Sequence, residues 1–68
     1  MSPAARRFVG LAYAALARSC ALQRDANTTQ YREREISRET WAERNAEIAI
    51  KAWHYKQSAR KHGVRRYP

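Results

Sequence analysis

The chain of 68 residues has a single cysteine, Cys20, and so closes no internal disulfide. Its two histidines, His54 and His62, have no second thiol near them, which leaves no zinc-ligand spacing. A chain this short gains little net stability from a hydrophobic core alone, so the missing staple points to stabilisation from outside the chain. Glycine and proline are scarce, with two of each. Their scarcity argues against a sheet built on tight turns and against low-complexity disorder. The stretch Phe8 to Ala17 carries no charge, but Arg18 ends it after ten residues, well short of the ~20 that a spanning helix requires. Glycine-rich phosphate loops, paired metal ligands and a nucleophile–histidine spacing are also missing, and the reading is of a non-enzyme with no cofactor.

Alanine is the largest part of the 44% hydrophobic content, 13 residues of 30. The few large apolar side chains include Phe8, Leu11, Leu16, Leu22, Ile36, Trp41, Ile48, Ile50 and Trp53, and helix is the default for such a composition. On a helix over residues 4–24, Phe8, Val9, Leu11, Ala12, Ala15, Leu16, Cys20 and Leu22 gather on one broad face. Arg6, Arg7, Arg18 and Arg24 spread along the other, giving a basic amphipathic helix. Cys20 is expected to be a small buried hydrophobe. The polar run over 25–30 has no periodicity and reads as a connector. Thr40 and Glu43 have capping-box spacing, which predicts a helix over 40–62 within a helical region 31–62, with a short extra turn at 30–39. Gly63 is a natural terminator, and 63–68 read as an extended basic tail. The expected fold is all-α: two helices and no independent core.

Charge is unevenly placed. Residues 1–24 carry four arginines and no acid, residues 25–50 four arginines against six acids, and residues 51–68 six bases and no acid. Cationic ends suit RNA, anionic lipid or acidic protein, and charge alone does not choose among them. The candidate contacts for an anionic partner are Arg6, Arg7, Arg18, Arg60, Lys61, Arg65 and Arg66. The candidate protein-binding anchors are Trp41, Ile48, Trp53 and Tyr55 on the second helix, with Phe8 and Leu11 on the first.

An acid-free, arginine-rich, alanine-rich amphipathic start has the composition of an organellar targeting segment. A secretory signal is the rival reading, with Ala15-Leu16-Ala17 as cleavage site and Asn27-Thr28-Thr29 as glycosylation acceptor. The favoured expectation is a retained helix that docks on a partner helix or a membrane surface. Tyr13-Ala14-Ala15-Leu16-Ala17-Arg18, then Tyr31, Arg34 and Ile36, then Trp41 with Arg44-Asn45, partially resemble the LYR-motif proteins of mitochondria. Ala12-Tyr13-Ala14 stands where that family has leucine-tyrosine-arginine. The resemblance implies a helical accessory subunit or assembly factor of a respiratory complex, one that binds acyl carrier protein.

These readings combine into one expectation: a non-catalytic accessory subunit of a mitochondrial inner-membrane complex, respiratory or ATP synthase, at the inner membrane or its matrix face. Its partners would be other subunits, with lipid contact along helix one. The alternative is a mitochondrial ribosomal protein that holds rRNA through its basic ends.

Overall fold

The computed structural model describes residues 2–64. The chain forms two helices, α1 (Pro3–Arg32) and α2 (Arg38–Lys61), folded back on each other as a hairpin about 48 Å long. The expected all-α two-helix class is what the chain adopts.

Ser2 starts α1: its hydroxyl accepts the Ala5 N–H at 3.1 Å, and Pro3 occupies the first turn, where its missing N–H costs nothing. Ser37 starts α2 in the same way, accepting from the Thr40 N–H at 3.1 Å. The N-cap is therefore Ser37, three residues before the expected Thr40. Thr40 is the residue whose amide is capped.

The expected connector over 25–30 is helical, because α1 continues to Arg32 and the chain reverses over 33–37. Polar side chains do not break a helix whose inner face stays packed. Asn27, in the middle of that run, is one of the buried residues of α1.

Both helices end in the same motif. After α1 the Arg34 N–H bonds the Tyr31 carbonyl at 3.1 Å and the Glu35 N–H bonds the Gln30 carbonyl at 2.9 Å. After α2 the Gly63 N–H bonds Arg60 and the Val64 N–H bonds Ala59, each at 3.0 Å. Each is a Schellman cap, with a left-handed residue just past the helix: Arg34 at φ 61° and Gly63 at φ 87°.

The seam follows a three-and-four spacing. On α2 it runs through Trp41, Asn45, Ile48, Ala52, Tyr55, Ala59 and His62, none of them exposed. On α1 its tightest points are small: Gly10, Ala14, Ala17 and Cys20 are all buried. At Gly10 the approach is too close for a side chain, since a Cβ there would lie 2.8 Å from Val64 Cγ2 and 3.0 Å from the His62 carbonyl. That contact offsets the roughly 1 kcal/mol that glycine costs inside a helix. Val64 is thus held against the hairpin and is not part of a free tail, while 65–68 lie outside the described residues. Among the described residues no large side chain is fully buried.

Candidate interaction surfaces

The expected anchors fall into two groups that share no face. Trp41, Ile48 and Tyr55 turn inward to the seam, whereas Trp53, Phe8 and Leu11 are exposed. At 100° per residue Trp53 is well off the row that holds Trp41 and Ile48, so these three do not act as one clamp.

Trp41 is used within the chain. Its ring stacks on Tyr31 with centroids 4.9 Å apart, and its indole N–H donates to Thr28 Oγ1 at 3.2 Å. The Asn27 Nδ2 donates to the Trp41 carbonyl at 3.1 Å and to Asn45 Oδ1 at 2.9 Å. Arg44 reaches across to Gln30 Oε1 at 3.1 Å. These contacts lie near the turn. Asn27 is only 4% exposed, so its pairing with Asn45 fixes the register of the seam at a point where a slipped helix would leave a buried amide unpaired. Its Oδ1 has no protein partner and sits beside an open cleft lined by Gln23, Gln30, Arg44, Glu47 and Lys51.

At the open end Tyr13 bridges the helices, with ring centroids 6.4 Å from Tyr55 and 5.7 Å from His62. The Arg6 guanidinium donates to the Lys61 carbonyl, one of the acceptors left over at the end of α2. His62 Nδ1 lies 2.7 Å from the Ser58 carbonyl. Pro3, Arg6, Arg7, His62 and Gly63 enclose an open recess of about 410 Å³. Arg60 and Lys61 are exposed in the last turn of α2, and Arg18 is exposed midway along α1. Arg65 and Arg66 lie outside the described residues.

Sequence periodicity groups the apolar residues of α1 into one face, and the structure divides them into two. Cys20 is buried with Gly10, Ala14 and Ala17 against α2. Phe8, Leu11 and Leu22 point away from it, at 75%, 51% and 69% exposure. The physical reason is closeness: small side chains let two helix backbones approach, and bulky ones do not. The second helix repeats the division, with Ala42, Ala46, Ala49, Ile50 and Trp53 exposed on its outer side. Ile50, absent from the expected anchors, and Trp53, present among them, are the large outward side chains of α2. Their signal is that they break phase with the Trp41–Ile48–Tyr55 row.

Folding also sorts charge. The hairpin lays the acid-free residues 2–24 beside the acid-free residues 51–64, so its open half carries eight lysines and arginines and no carboxylate. The turn half holds all six acids, against four arginines.

Among the described residues no helix is long and apolar enough to cross a membrane, and no group of three His, Cys, Asp or Glu side chains could hold a metal ion. No family model, curated protein or solved structure matches the chain.

Proposed function

We propose that this chain is a non-catalytic accessory subunit of a mitochondrial inner-membrane complex, of the respiratory chain or ATP synthase. It acts by laying the outer side of α2 against neighbouring subunits. One observation carries the reading. The chain is small inside and large outside, with alanines and a cysteine buried while Phe8, Leu22, Ile50 and Trp53 are more than half exposed. Covering such side chains contributes about 1.5 to 3 kcal/mol for each aliphatic, and more area for each aromatic. That is stabilisation the isolated hairpin lacks and a partner supplies.

The outer side of α2 suits a partner helix. Its small residues, Ala42, Ala46 and Ala49, allow close approach, and Ile50 and Trp53 supply the anchors. The mitochondrial assignment rests on the acid-free, arginine-rich character of the first 24 residues, and the partial LYR resemblance points to the same compartment.

The test is to solubilise organelles in mild detergent, separate the complexes under native conditions and identify the comigrating proteins by mass spectrometry. The expected result is a high-mass peak shared with a respiratory or ATP synthase complex. A monomer-sized peak contradicts the proposal. A second reading, as a ribosomal subunit, is favoured by the convergence of both cationic segments at one end of the hairpin. It requires cosedimentation with ribosomal particles that RNase treatment abolishes.

A further inference from the structure

The outer side of α1 has a character of its own. Phe8, Leu11, Ala15 and Leu22 are spaced by three, four and seven residues, and so form one stripe on the side of α1 turned away from α2. Arg7 and Arg18 border this stripe. Every charged side chain from residue 2 to residue 24 is an arginine, and the first carboxylate is Asp25.

We propose that this face seats on the surface of an anionic phospholipid bilayer. The phenyl and leucine side chains enter the acyl boundary, and the guanidinium groups meet lipid phosphates. This inference rests on the reading that the chain works at a membrane complex, and it adds which face of α1 meets the lipid and that the lipid must be anionic. Three observations select the occupant. The same face of a second copy laid on this one would set arginines against arginines with no carboxylate to relieve them. RNA would satisfy the arginines but leave Leu11 and Leu22 in water. An anionic bilayer accommodates both features at once. The helix is about 45 Å long at 1.5 Å per residue and is not apolar enough to cross, which makes the contact a surface one. Arg7 also lines the recess at the open end with Arg6 and His62.

The test uses the full-length chain and flotation with vesicles of phosphatidylcholine alone or mixed with phosphatidylglycerol. Binding is expected only to the anionic vesicles and is expected to weaken as salt rises. Arg7→Gln and Arg18→Gln should each reduce affinity about fivefold. Leu11→Glu and Leu22→Glu should reduce it more than tenfold. All four variants should keep the wild-type circular dichroism spectrum, because these side chains lie outside the seam. A tryptophan introduced by Phe8→Trp should be quenched by brominated acyl chains, with the native Trp41 and Trp53 unquenched. Glycerol phosphate in excess should not displace the protein, which separates a bilayer from a free phosphate ester.

Equal binding to neutral vesicles, wild-type binding by Leu11→Glu, or quenching at Trp53 would each overturn the proposal. Tight binding to single-stranded RNA with none to vesicles would replace lipid by nucleic acid. Retention in the complex depends on Ile50 and Trp53 while vesicle binding depends on Leu11 and Leu22, so either reading can fail without the other.

Discussion

The two halves of the hairpin are held in different ways. Near the turn, α1 and α2 are joined by a stacked Tyr31–Trp41 pair and by hydrogen bonds from Asn27, Trp41 and Arg44. Acids and bases are mixed there, so the segment screens its own charge. At the open end the seam is made of Gly10, Ala14 and Ala17 beneath Tyr13, with Arg6 tying down the last carbonyl of α2. Its charges are all of one sign. A half that balances its own charge next to a half that carries one sign makes different demands: the hydrogen-bonded turn half does more to hold the two helices together, and on the reading proposed above the open half gains stability when an anionic partner covers it.

The comparison breaks most severely at Trp41. Trp41→Ala removes the stack and the indole hydrogen bond, and is expected to cost about 3 kcal/mol or more. In a hairpin this small the loss should appear as a collapse of helical circular dichroism. Asn45→Ala leaves a buried Asn27 amide proton without its acceptor and should cost about 1 to 2 kcal/mol in thermal melts. Outward positions in the open half, such as Leu11→Ala, should change the same melts by less than about 0.5 kcal/mol.

The two caps give a smaller and sharper comparison. Gly63 adopts its left-handed conformation without strain, whereas Arg34 pays about 1 kcal/mol for the same geometry. Arg34→Gly should therefore stabilise the hairpin by about that amount, and Gly63→Ala should destabilise it similarly. Thermal melts of both variants decide the point, and equal shifts of the same sign would show that the caps are not equivalent.

The same caps explain what could be read in advance. The end of α2 is legible because glycine occupies the position that needs a positive φ. The end of α1 is not, because arginine occupies it, and the polar run over 25–30 carries the stronger break signal in the sequence. That run stays helical because Asn27 and Thr28 spend their polarity on the facing helix. All-α character and a thin core follow from alanine content and length. The choice of packing face does not, since periodicity finds apolar residues but does not say that the smallest of them face the neighbouring helix. Phe8 and Leu11 are exposed, while Trp41, Ile48 and Tyr55 are packed within the chain.

The most direct measurement of the central claim, that the outward side chains act in assembly while the seam acts in folding, uses an Ile50→Ala/Trp53→Ala double variant. The tagged variant is compared with wild type by native separation of organelle extracts and by circular dichroism of the purified chain. The account predicts an unchanged helical spectrum with the variant displaced from the high-mass complex to a free fraction. Retention of the variant in the complex at wild-type level, with the fold intact, would contradict it.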